Sequence, residues 1–118
     1  MPLTDVYTNV LFYGNRGSVN NLTPVVVIPN PGVGAPSYIV DKEDIGILNL
    51  DTANITVALT ISGDTSHIIE KFSLSPGDKW ISSSRYVIKS GETLTLTLSS
   101  IPVSNETTFN ASYYQVID

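Results

Sequence analysis

Two stretches of this chain alternate apolar and polar residues with a strict period of two, and that alternation constrains the fold more than any other feature. In Asn54–Ser62 the residues Ile55, Val57, Leu59 and Ile61 share one face, while Thr56, Ala58, Thr60 and Ser62 share the other. In Glu92–Ser99 leucines 94, 96 and 98 line one face and threonines the other. Successive side chains of a strand point to opposite sides, so each run is a strand with one buried and one solvated face. β-Branched threonines suit the pleated polar side. Antiparallel sheets with a single covered face carry this pattern.

Weaker strand signals fill the remainder. Asp5–Tyr13, Val25–Ile28, Tyr38–Val40, Ile45–Leu50, His67–Leu74, Trp80–Ser82, Tyr86–Ile88 and Phe109–Ile117 are rich in β-branched and aromatic residues. The unbroken apolar run Val25–Ile28 predicts a strand covered on both faces. Gly14-Asn15-Arg16-Gly17 reads as a tight turn, and Asp51–Asn54 as a hairpin loop. Ser62-Gly63-Asp64, Ser75-Pro76-Gly77-Asp78 and Ser90-Gly91-Glu92 place glycine where a positive φ is expected. No segment of ten residues has a helical period; at most a turn or two of helix is expected, with Asp41–Asp44 as a place for it. Nine or ten short strands at this spacing predict an all-β fold, an antiparallel β-sandwich, with a jelly roll among the arrangements the strand count permits. The 118 residues suit a single domain, 1–118.

Composition narrows function by exclusion. Without cysteine there are no disulfides, thiolate nucleophiles or sulfur-ligated metals. The net charge is −5, and the six cations, Arg16, Lys42, Lys71, Lys79, Arg85 and Lys89, are scattered along the chain. That footprint is wrong for nucleic acid or an anionic membrane. No run approaches the length of a membrane span. The opening Met1–Asp5 has no positive n-region, so no signal peptide is expected.

Catalytic chemistry finds no constellation. His67 is the single histidine, and Ser66 and Asp64 lie beside it, but neighbours on a strand diverge to opposite faces and a triad must converge. Asp41, Glu43 and Asp44 cluster without the spacing of a calcium loop; a site using them with Asp51 or Asp78 is the alternative to a solvated loop. No carboxylate pair faces a common cleft by pattern. The four Asn-X-Ser/Thr matches are what chance supplies in a chain this rich in those residues. Neither catalytic, cofactor-binding nor metal-binding residues are assigned, and no cofactor is expected. Trp80, Tyr86, Tyr113 and Tyr114 are candidates for a sugar-stacking platform or an interface hot spot, with core packing as the competing role.

Pro29–Pro36 departs from strand chemistry, since proline donates no ladder hydrogen bond. Its prolines restrict the unbound chain, so ordering it against a neighbour costs less entropy. Pro31, Val33 and Pro36, with Tyr38 as an aromatic anchor, are the expected subunit contact.

Between Leu48 and Ser99, Asn49-Leu50-Asp51, the alternating strand, His67-Ile68-Ile69, Leu74-Ser75-Pro76-Gly77-Asp78, Tyr86-Val87-Ile88 and Ser90-Gly91-Glu92-Thr93-Leu94 follow in order. This run resembles small β-sandwich virion proteins of tailed bacteriophages. The resemblance implies a non-enzymatic structural protein: a capsid decoration (cement) protein on the outer surface, bridging shell subunits, assembled in the host cytoplasm and resident in the virion. Its partners would be the major capsid protein or other virion proteins, and it would form a homo-oligomer. The alternatives are a neck, tail or fibre component, or a carbohydrate-binding or adhesin module. Only 14% of residues are charged, which suits large protein contacts whose centres are depleted in charge.

Overall fold

A computed structural model describes residues 9–117. Ten strands form two antiparallel sheets: β1 (Asn9–Val19), β2 (Val25–Ile28), β3 (Tyr38–Val40), β4 (Ile45–Asn49), β5 (Ile55–Ser62), β6 (Ser66–Leu74), β7 (Lys79–Ile81), β8 (Tyr86–Ile88), β9 (Thr93–Leu98) and β10 (Thr107–Ile117). In the six-stranded sheet, β10 pairs with β1 along one side and with β4 and then β3 along the other; β7 flanks β4 and β8 flanks β3. The second sheet runs β2-β9-β5-β6.

β3 and β4 are two halves of one interrupted strand, and so are β7 and β8, because each pair continues along the same neighbour. Counted so, the positions run 1-8-3-6 in one sheet and 2-7-4-5 in the other. That is the strand order of a jelly roll, two interlocked Greek keys closed as a double sheet. The interruption at 41–44 is a turn rather than a helix: Asp44 N–H donates to Asp41 O, and Glu43 takes a left-handed φ of 70°. Ser112 N–H donating to Asp44 O returns the chain to β10.

The core is what the alternation dictates. Ile55, Val57, Leu59 and Ile61 of β5 and leucines 94, 96 and 98 of β9 are buried against Ile45, Ile47, Val40, Ile88 and Phe109 of the opposite sheet. Each such side chain stabilises by about 1.5–3 kcal/mol relative to exposure. At one end Tyr13, Tyr38 and Tyr113 pack ring to ring at 4.8–5.5 Å.

Several local expectations are corrected. Gly14–Gly17 is not a turn: β1 runs through it, in register with Phe109–Ser112 of β10. The ring of Phe109 lies across Gly17, where a Cβ would come within 3.0 Å of it, so the glycine is filled by its cross-strand neighbour. Asn15 Nδ2 donates to the carbonyls of Val26 and Val27 and ties β1 to the edge of the other sheet. β2 is an edge strand whose Val26 is exposed, so it is not covered on both faces. Residues 51–54 carry the chain from one sheet to the other and are not a hairpin loop. Gly77 and Gly91 adopt positive φ as expected, whereas Gly63 does not. The expected start of the first strand at Asp5 lies outside the described residues.

Candidate functional site

Strand parity on the six-stranded sheet turns Phe12, Tyr114, Ile39 and Val87 to the outer face. Register brings them into one line: Phe12 faces Tyr114, Tyr114 faces Ile39, and Ile39 faces Val87. The result is an apolar row across β1, β10, β3 and β8 with no layer over it among the described residues. Phe12 is 80% exposed and Val87 44%. The rings of Phe12 and Tyr114 lie 6.0 Å apart, tilted by 46°. Val10, opposite Val116, widens the patch.

A polar rim borders this row. Arg85 Nη2 donates to Tyr114 Oη at 3.3 Å, Tyr114 Oη donates to Asp41 Oδ1 at 3.4 Å, and Arg85 Nε lies 3.4 Å from the same carboxylate. Both partners of this ion pair are more than half exposed, so it orients Tyr114 more than it stabilises the fold.

The other half of the same face mixes polar and apolar side chains. Arg16, Asn110, Gly46 and Ile81 form one cross-strand row, and Ser18, Thr108, Leu48 and Lys79 the next. Between them lies an open groove of about 510 Å³. Gly46 makes it possible: a Cβ there would sit 2.6 Å from Asn110 Oδ1 and 3.1 Å from Lys79 Cε. Among the described residues the one ion pair is Arg85 with Asp41, so Arg16 and Lys79 are not ion-paired, although the Glu106 carboxylate lines the same groove.

The expected contact residues separate in the structure. Val33 stands fully exposed at the tip of its loop, Pro36 is exposed and Pro31 half-buried. The loop hugs the body rather than protruding freely. Asn30 Oδ1 accepts from Gly32 N–H and Gly91 N–H, Ser90 Oγ donates to Gly32 O, and Gln115 Nε2 donates to Pro36 O. Tyr38 is corrected: at 9% exposure it belongs to the tyrosine cluster of the core, because parity on β3 turns Tyr38 and Val40 inward and Ile39 outward. It offers no ring to a partner at this surface.

Of the aromatics named from sequence, Tyr114 alone reaches the outer face. Trp80 stacks on Phe72 at 4.5 Å, between the sheets. Burial raises the Tyr113 phenol above its ordinary value, with Tyr38 and Tyr13 adding to the effect. Tyr86 is raised first by burial and then by the Glu70 carboxylate. His67 is exposed on β6, an edge strand, opposite Ile61. Asp51 is not free to serve a cation. Its carboxylate accepts from Val103, Ser104 and Asn105 N–H at 2.8–3.2 Å and from Ser104 Oγ at 3.1 Å. These donors hold it far below the usual carboxylate range.

No family model matches the chain, and no curated protein matches it. Among solved structures it is similar to the CBM22-1–GH10 modules of Clostridium thermocellum endo-1,4-β-D-xylanase 10B, complexed with xylohexaose. That match has 14% identity and a TM-score of 0.48, covering 89% of this chain and 25% of the other, so the chain spans a quarter of the xylanase structure. It is also similar to PirA, at 12% identity and a TM-score of 0.39, over 92% of this chain and 94% of that one. Neither likeness carries a function over to this chain.

Proposed function

We propose that this chain is a non-enzymatic assembly protein that docks through the outer face of its six-stranded sheet. The observation that carries the reading is the in-register row Phe12–Tyr114–Ile39–Val87, with Phe12 and Val87 exposed, Tyr114 and Ile39 half-buried between them, and the Arg85–Asp41–Tyr114 rim at its border. Interfaces have this anatomy, an uncharged centre with aromatic anchors inside a polar margin. The specific form we propose is a virion structural protein, a decoration protein seated on the major capsid protein, with neck, tail or fibre as the neighbouring placement. A net charge of −5 favours a seat away from packaged nucleic acid.

The test is Val87→Asp, which places a charge in the row without touching the core. Thermal stability should stay within a few degrees of the parent. Incorporation into particles, quantified by mass spectrometry of purified virions, should fall at least tenfold, as for loss of an interface hot spot. Unchanged incorporation refutes docking through this face.

The groove lined by Arg16, Asn110 and Lys79 favours a second reading, a carbohydrate-binding module, in which these side chains supply hydrogen bonds to a sugar. Retention of the isolated domain on a glycan resin, abolished by Asn110→Ala, distinguishes it from the first.

A further inference from the structure

The free edge of β1 points to a second copy of this chain. β1 is an eleven-residue edge strand, paired to β10 over its whole length and, among the described residues, to no strand on its other side. In an antiparallel ladder every second residue directs both backbone groups away from its partner. No β1 backbone group makes a hydrogen bond outside its ladder with β10 among the described residues. Natural edges are guarded by proline, lysine, inward charge or brevity. β1 has none of these; its sequence is Asn-Val-Leu-Phe-Tyr-Gly-Asn-Arg-Gly-Ser-Val, and Arg16 is its single charge. Leu11 and Phe12 are both exposed on it.

We infer that β1 pairs antiparallel with β1 of a second copy about a two-fold axis perpendicular to the sheet. The two six-stranded sheets then join edge to edge. Such an interface is isologous, so whatever lies on the strand must complement itself. The sequence of β1 meets that condition in the register of complete overlap. Asn9 then faces the partner's Val19, and Gly14 faces the partner's Gly14 at the axis. Phe12 faces the partner's Arg16, and by symmetry Arg16 faces the partner's Phe12. All four side chains lie on the outer face, since residues of even number on β1 point there. Directly opposed residues have Cβ atoms about 4.5–5.5 Å apart, which lets a guanidinium cover an aromatic face. The one charge of the strand thus meets its most exposed ring, twice, and the two arginines are kept apart. Slipping the strands by four residues one way would oppose Arg16 to its own copy; by four the other way, Phe12 to its own copy, with Arg16 taken off the partner's ring.

A contact made by one strand pair falls at the small end of specific interfaces, so dimerisation should appear across the micromolar range. The β1 edge shares Phe12 with the docking row but not Val87: V87D should leave the dimer intact while lowering incorporation, so the two contacts fail separately.

Sedimentation velocity of the parent over a micromolar concentration series is the first measurement, with monomer converting to dimer as the expected result. F12R opposes arginine to arginine and should raise the dimer dissociation constant at least tenfold, and the swap F12R/R16F should restore it. Because the chain has no cysteine, G14C can form a disulfide only with its own copy. The position admits a Cβ, the nearest atom being Ala111 O at 3.8 Å, and opposed Cα atoms about 4.5–5.5 Å apart lie within disulfide reach. G14C should therefore cross-link under mild oxidation. S112C should not, because Ser112 is opposite Gly14 on the inner strand and three strand spacings, about 14 Å, would separate it from its copy. A parent that stays monomeric throughout, a dimer that survives F12R, or a G14C variant that dimerises without cross-linking each overturns the proposal.

Discussion

Replacing Asn49 with aspartate tests whether one buried amide holds this end of the jelly roll together. Asn49 is the last residue of β4 and has no exposed surface. Its Nδ2 donates to Ala53 O at 2.9 Å and Leu74 O at 3.0 Å, and its Oδ1 accepts from Asp51 N–H at 2.8 Å. One side chain therefore joins the ends of β4 and β6 and the connection leading into β5. Aspartate has nearly the same shape and keeps the acceptor, but it turns a carboxylate oxygen toward two carbonyls, Leu74 O buried and Ala53 O partly so. An unsatisfied buried polar group costs about 1–3 kcal/mol, so the two carbonyls together imply a loss of about 2–6 kcal/mol. Against a total of about 5–15 kcal/mol for a domain, that is a large fraction. Urea unfolding should show the midpoint falling with an unchanged slope. Asn54→Asp, at an exposed position in the same connection, adds the same charge and should cost under about 0.5 kcal/mol. A loss below about 1 kcal/mol in N49D would show that water reaches these carbonyls and that Asn49 does not hold the end of the fold.

Three further outcomes are expected. The Asp51 carboxylate is held below its unfolded value, so its stabilisation is complete above about pH 4, the ordinary carboxylate range, and is lost as pH falls toward the folded value; the melting temperature of D51N, measured from pH 7 to pH 3, should decline less steeply than the parent's. Leu96→Asp places an unpaired charge at a fully buried position and should prevent folding, while Thr97→Ala on the outer face should cost under about 1 kcal/mol, both read by circular dichroism and urea titration. A Gly/Ser segment of equal length in place of Pro31–Ala35 should keep the fold, because the anchors Asn30, Ser90 and Gln115 remain, while particle incorporation falls; unchanged incorporation would make Val33 and its loop a connector only.

The sandwich was legible in the sequence wherever one face of a strand is buried and the other wet. Ile55–Ile61 and Leu94–Leu98 alternate because β5 and β9 are central strands of a two-layer fold. The misreadings arose where a strand's partner, not its own residues, decides its state. Gly14 and Gly17 flank Asn15-Arg16 as turn residues do, yet β10 runs alongside and Phe109 fills the space above Gly17. Val25–Ile28 reads as doubly buried because it is uniformly apolar, although β2 lies at an edge with Val26 exposed.

The outer row was harder to see for a related reason. Phe12, Ile39, Val87 and Tyr114 come from four strands distributed along the whole chain, and no local pattern joins them. What aligns them is the pairing of β10 with both β1 and β3, a register that only the closed topology supplies. Parity then decides the rest, residue by residue. A one-residue change of phase on β3 would expose Tyr38 and bury Ile39. The sequence does carry the signal that selects the phase: Val40 lies two residues from Tyr38, so the two share a face, and the ring has Tyr13 and Tyr113 to pack against inside. Burying Ile39 instead would strand two large apolar side chains in water to hide one. The same reasoning applies to Phe12 and Tyr13. Tyr13 takes the inner face, where its hydroxyl donates to Gln115 Oε1 at 2.8 Å. Phe12, with no polar atom to satisfy, is left outside, which is an unfavourable place for a phenylalanine unless something covers it. That exposed ring lies at the junction of the docking row and the β1 edge, where a partner at either would cover it.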